Sequence, residues 1–148
     1  MFNNQYMQMA LDLATQAYQN HEVPVGAIIV QNNKVIASAH NLIVTNNDPT
    51  AHAEIEVIKM ASNTLGGYNL DDCDLYVTLE PCPMCAYAII LARIKRLYFG
   101  ALDQKRGAVI NGPKLFGAAC TFHKPEVYSG IMESECSKLL KSFFAELR

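Results

Sequence analysis

Proline is tolerated in an α-helix only in its first turn, so Pro83 in the run Pro81-Cys82-Pro83-Met84-Cys85 fixes where a helix begins. Residues 84–93 then form an almost wholly apolar body, and a helix that is apolar all round is a buried one. A strand-like run at 75–79 leads into it and another at 96–101 follows it. Alternation of strand and helix of this kind predicts an α/β domain with helices packed on a partly parallel sheet.

The flanking segments extend the pattern. Asn3 or Asn4 can cap a helix running to about Asn20, with Tyr6, Met9, Ala10, Leu13, Ala14 and Ala17 on one face, Met9 and Tyr6 being read as core. Residues 26–30 and 35–39 are β-rich runs around Gln31-Asn32-Asn33-Lys34, where Asn tolerates the positive φ of a tight turn, and so predict a hairpin. Asp48 or Thr50 is the expected cap of a helix over 51–65, which Gly66-Gly67 stops. Met132, Cys136, Leu139, Leu140, Phe143, Phe144 and Leu147 recur at helical spacing and mark an amphipathic C-terminal helix. Residues 102–124 show the least pattern. With no internal repeat, low-complexity tract or linker, residues 1–148 read as one domain.

Composition excludes several classes. At 51% hydrophobic and 18% charged residues the chain is neither disordered nor collagenous. Its longest apolar stretches, 25–30 and 86–92, fall far short of the roughly 20 residues that span a bilayer. The first six residues hold no basic residue and no apolar core of a secretory signal, so a cytoplasmic protein is expected. Five cysteines are an odd number, which favours thiols or metal ligands over a disulfide framework. Charge is segregated: up to Ala92 there are two basic residues against nine acidic, and from Arg93 onward ten basic against five acidic. Such a basic C-terminal third is one footprint of a protein that meets a polyanion.

His52, Cys82 and Cys85 are zinc-ligand types at the starts of two expected helices. Cysteines at i and i+3 share a helix face, and the positive end of the helix dipole favours their thiolates. Three ligands leave one tetrahedral position open, which separates a catalytic zinc from a structural one, and a zinc-activated water then needs a proton carrier. Glu54, two residues beyond His52, is the candidate. Cys73 as a fourth ligand would close the site, and a C-x-x-C alone also marks redox and structural zinc sites. Cys120 and Cys136 read as core or helix-face thiols.

His52-Ala53-Glu54 followed by Pro81-Cys82-Pro83-Met84-Cys85 resembles the signature of the zinc-dependent nucleoside and nucleobase deaminases. Within them the chain looks most like the bacterial tRNA-specific adenosine deaminases. The stretches that carry the likeness are His21-Glu22-Val23-Pro24-Val25-Gly26-Ala27, Asp48-Pro49-Thr50-Ala51-His52-Ala53-Glu54-Ile55, Val77-Thr78-Leu79-Glu80-Pro81-Cys82 and Phe99-Gly100-Ala101 with Asp103. The resemblance implies a three-layer α/β/α cytidine-deaminase-like fold with a mixed, partly parallel central sheet. It implies a homodimer that hydrolyses adenosine to inosine at the wobble position of a tRNA anticodon, with one Zn²⁺ per subunit on His52, Cys82 and Cys85. Glu54 would shuttle the proton and Asn41 would hydrogen-bond the base. Asp103, Lys105 and Arg106 match the RNA-contacting loop, and Phe143 and Phe144 the C-terminal helix, while residues 106–113 depart from the family's Gly/Ala/Ser-rich run.

Two other readings stay open at this level. The 65–73 segment before Pro-Cys-Pro-Met-Cys also looks like guanine deaminases, which act on a free base. A non-catalytic zinc module that binds RNA would use the same three ligands and make Glu54 dispensable.

Overall fold

The computed structural model describes residues 4–147. Its elements are α1 (Asn4–Gln19), β1 (Gly26–Gln31), β2 (Lys34–His40), α2 (Ala53–Leu65), β3 (Cys73–Leu79), α3 (Pro83–Ala92), β4 (Arg96–Ala101), β5 (Glu126–Tyr128) and α4 (Glu133–Glu146). The strands form one mixed sheet in the order β2-β1-β3-β4-β5. β1 is antiparallel to β2 and β3, whereas β3, β4 and β5 run parallel. α1 packs on the sheet beside α4, and α2 packs on it beside α3, so the α/β layering expected from the sequence is present.

The hairpin forms because Asn32 and Asn33 both adopt positive φ, 51° and 60°, as a two-residue primed turn requires. β1 then lies inside the sheet, buried at every residue except Gln31. Gly26 sits where a Cβ would strike the backbone of Ala10, so α1 rests directly on this strand. The buried stripe of α1 is Met7, Ala10, Ala14 and Ala17. Met9, expected in the core, is exposed, and Tyr6 and Leu13 are only partly buried. Three- and four-residue steps describe adjacent stripes of one helix equally well; both share Ala10, Ala14 and Ala17, and the sheet takes the side that carries Met7 rather than Met9. Asn3, one of the two candidate caps, lies outside the described residues.

α2 begins at Ala53 with His52 at its N-cap, and neither Asp48 nor Thr50 caps it. Asp48 Oδ1 instead accepts the Thr50 N–H at 2.9 Å and the Thr50 hydroxyl at 2.7 Å, closing a turn just before the helix. Gly66 ends α2 at φ 72°. α3 departs from the sequence expectation too. Its inner side, Cys85, Ala86, Ile89 and Ile90, is buried, but Leu91 is 55% exposed and Met84 36%. The helix forms an outer layer, so this chain covers only one of its sides. Cys136 is buried where a Cβ on Gly100 would meet its sulfur, and Cys120 is exposed rather than in the core. Residues 102–124 contain only a 3-10 turn at Leu115–Gly117, and the short β5 that follows has no counterpart in the sequence pattern.

Candidate active site

α2 and α3 touch along their sides, and each starts with an N-cap residue that can bind a metal, His52 and Cys82. Both N-caps have extended backbone, with ψ of 150° and 173°, and neither side chain caps its own helix. The side chains are therefore free to meet across the gap. Cys85 stands one turn into α3 on the face of Cys82. His52 Nδ1 lies 3.6 Å from Cys82 Sγ and 3.4 Å from Cys85 Sγ, and all three donor atoms fall within 4.8 Å of one another. Tetrahedral bonds of about 2.0 Å to nitrogen and 2.3 Å to sulfur place such donors roughly 3.5–3.8 Å apart. The donor chemistry and its spacing fit zinc, and among the described residues no other cluster of this kind occurs. Cys73 is not part of it: its thiol lies 3.5 Å from Asp72 Oδ1 and is pushed up to about 12, first by burial and then by that carboxylate.

The electrostatics of the cluster prepare it for a cation. Cys82 is held down to about 4, chiefly by the hydrogen bond from the Cys85 thiol; burial opposes this and His52 reinforces it. Cys85 is raised in turn by the same hydrogen bond and by burial, and His52 is raised above its ordinary value first by Cys82. A divalent cation binds such ligands in their deprotonated form, so binding here would release protons from the cluster. Glu54, in the first turn of α2, is 4% exposed. Burial pushes its carboxyl up to about 7 against the pull of its own backbone N–H, and the Cys85 side chain lies within hydrogen-bonding reach. A carboxyl beside the ligands that can hold or release a proton near neutrality is what general acid–base chemistry needs.

A cleft of about 920 Å³ opens over these residues. Asn41, 5% exposed, lines it together with His52, Glu54 and Cys82. Lys105 and Arg106 form one wall, and Lys141 and Phe144 of α4 another. Asp103 also lines the cleft, but its Oδ1 accepts the N–H groups of Lys105 at 3.2 Å and Arg106 at 3.0 Å, so it shapes the turn that presents them. Phe143 is not among the lining residues; it packs edge-on against Tyr18 at 5.5 Å and seats α4 on α1.

Two buried acids escaped the sequence reading. Glu22 accepts the N–H of Val44 at 3.1 Å and the N–H and hydroxyl of Thr45, both at 2.7 Å, tying down the loop that follows Asn41. Burial pushes its carboxyl up, but these donors outweigh that and leave it below the ordinary carboxylate value. Glu80 makes a similar set of bonds to the 103–111 loop. The signal available was an acid beside an apolar run, Glu22 just before Val23-Pro24-Val25 and Glu80 between Leu79 and Pro81.

The cytidine and deoxycytidylate deaminase zinc-binding region matches residues 2–101 of the chain. A tRNA-specific adenosine deaminase of Agrobacterium fabrum is 51% identical over 143 residues, 97% of this chain and 94% of that one. A solved structure from studies of A-to-I editing by tRNA:A34 deaminases at the wobble position of transfer RNA superposes with a TM-score of 0.92 and 50% identity, covering 93% of this chain and 100% of the other. A guanine deaminase from Bacillus subtilis superposes less fully, with a TM-score of 0.66 and 42% identity over 69% of this chain and 66% of that one. By its sequence match, its fold and its His52-Cys82-Cys85 cluster, the chain belongs to the zinc-binding cytidine and deoxycytidylate deaminase family, and within it to the tRNA-specific adenosine deaminases.

Proposed function

We propose that this chain hydrolyses adenosine to inosine at the wobble position of a tRNA anticodon, releasing ammonia. The observation that carries the reading is the placement of Lys105, Arg106 and Lys141 on the walls of the same cleft that holds Glu54 and the metal-ligand cluster. A free base has no phosphates to meet, whereas RNA affinity draws on Lys and Arg contacts to them. His52, Cys82 and Cys85 would hold zinc, which would supply the Lewis acidity that lets water act as a nucleophile near neutral pH. Glu54 takes a proton from the water that adds at C6 of the base and passes it to ring N1. Its carboxylate then carries the second water proton to the departing amine, which leaves as ammonia. Asn41 hydrogen-bonds the base edge, and Phe144 offers a ring on which a neighbouring base can stack. A base in an anticodon loop is already free to be splayed out into such a cleft.

The test is a competition in which zinc-loaded protein receives an anticodon stem-loop bearing adenosine together with free guanine, adenine and cytosine, with products read by mass. Inosine in the RNA alone is expected. Conversion of a free base with the RNA untouched would overturn the assignment.

The protein is also proposed to act as a homodimer in the cytoplasm, where tRNA is decoded. Among the described residues no helix is long and apolar enough to cross a membrane. The dimer is supported by the outer side of α3, a helix without charged residues that leaves Leu91 and Met84 in solvent. Leu91→Glu should sediment as a monomer while the wild type sediments as a dimer; equal sedimentation would place the interface elsewhere.

A further inference from the structure

Glu80 stands in the link between β3 and the N-cap Cys82, and it is 2% exposed. Among the described residues its carboxylate makes no ion pair with Lys or Arg. Five N–H donors from one loop surround it instead. Oε1 accepts from the Asp103 backbone at 3.0 Å and Asn111 Nδ2 at 2.7 Å, and Oε2 from the backbones of Val109 at 3.1 Å, Ile110 at 2.9 Å and Asn111 at 2.9 Å. Gly107 passes so close that a Cβ there would strike the carboxylate and the Asp103 carbonyl. Ala108 N–H closes the wrap by donating to the Pro81 carbonyl at 2.9 Å.

The two halves of this loop are held differently. Ala108 and Val109 are buried with Phe116 in the core, so apolar contacts anchor the far half. Gln104, Lys105 and Arg106 are exposed, and Asp103 is only partly buried. For that near half the fixed points are Glu80, through the Asp103 N–H, and the turn that Asp103 then makes under Lys105 and Arg106. Burying an anion is costly unless its hydrogen bonds are satisfied, and a fully satisfied one specifies a single arrangement of its donors.

We infer that Glu80 is a positioning residue for RNA binding, holding the Lys105-Arg106 arm at a set place relative to the His52-Cys82-Cys85 cluster two residues away. The inference rests on the RNA-deaminase reading, because only a polyanionic substrate uses that arm. Catalysis needs the base at the cluster and the phosphates at the arm at once, and a carboxylate wired to both sets the span between them.

The test compares zinc-loaded wild type with Glu80→Gln in the full chain. A glutamine has the same shape, but its amide nitrogen cannot accept the N–H groups that converge on one carboxylate oxygen. Zinc content should stay equal, KM for the adenosine stem-loop should rise about tenfold, and kcat should fall much less. Amide hydrogen exchange should quicken across 103–111 and not in β3 or β4. On a Lys105→Ala/Arg106→Ala background the same change should add little to KM, since the arm it positions is gone. Asn111→Ala removes one donor from the loop side and should move KM the same way by less, which serves if Glu80→Gln folds poorly. Unaltered exchange over 103–111, additive losses on the double-alanine background, or a fall in kcat with loss of zinc would each overturn the inference. If the wild type itself leaves the stem-loop untouched, the functional reading fails, while the exchange data still decide whether Glu80 holds the arm.

Discussion

Glu54→Ala should retain zinc at the wild-type ratio and lose deamination by about 10²- to 10⁴-fold, the usual range for removing a positioned general acid–base group. The expectation follows from where Glu54 sits. It lies in the first turn of α2, two residues past His52, so its carboxyl is carried beside the ligand cluster without being one of its three donors. Burial keeps it from water and within reach of Cys85. Removing it therefore strips out a proton carrier and leaves the metal ligands in place. Metal content by atomic emission and inosine by mass settle the matter together. Full turnover with zinc retained would assign the proton transfers to another group, and loss of zinc would make Glu54 a support of the metal site. Glu54→Gln separates shape from acidity: it restores the packing that Ala removes, and its turnover should remain as low.

What was legible in the sequence was whatever short-range chemistry dictates. Pro83 could stand only in a first helical turn, so α3 begins where expected and its two cysteines face one way. Asn32-Asn33 accept positive φ, so the hairpin and its partner strand were readable. His52, Glu54, Cys82 and Cys85 come together because two helix starts do, and Asn41, Lys105 and Arg106 line the same cleft. What could not be read was set by partners distant in sequence. β5 has three residues, too few to show alternation; it is held by parallel pairing with β4 and by Tyr128 stacked on Tyr98 at 4.9 Å. The 103–111 loop looked patternless because its organiser, Glu80, lies 23 to 31 residues earlier. Asp48 carried a good capping side chain and spent it on Thr50, leaving the N-cap to His52, whose ring was needed elsewhere. α3 looked like a helix to be covered on all sides, and no local pattern could show that a single chain covers one of them.

The same geometry makes the metal a structural clasp as well as a reagent, and Cys85→Ser exposes this. Zinc held by His52, at the N-terminus of α2, and by Cys82 and Cys85, at the start of α3, would join the two helices. Neither N-cap side chain bonds to its own helix, so the ends of both helices depend on what those side chains hold. Serine at 85 fills nearly the same buried space but offers a hydroxyl in place of a thiolate, which zinc binds poorly. The variant should purify with little zinc and no deaminase activity. Its melting temperature should match that of the wild type stripped by a chelator. A ligand present at about a thousand times its Kd stabilises the fold by roughly 4 kcal/mol, about ten degrees in a domain of this size, and that increment is what both treatments remove. Chelator should then do nothing further to Cys85→Ser. If it lowers the melting temperatures of variant and wild type equally, Cys85 is not a ligand and the clasp closes through other donors; if Cys85→Ser keeps its zinc but not its activity, the cysteine serves the chemistry and not the hold.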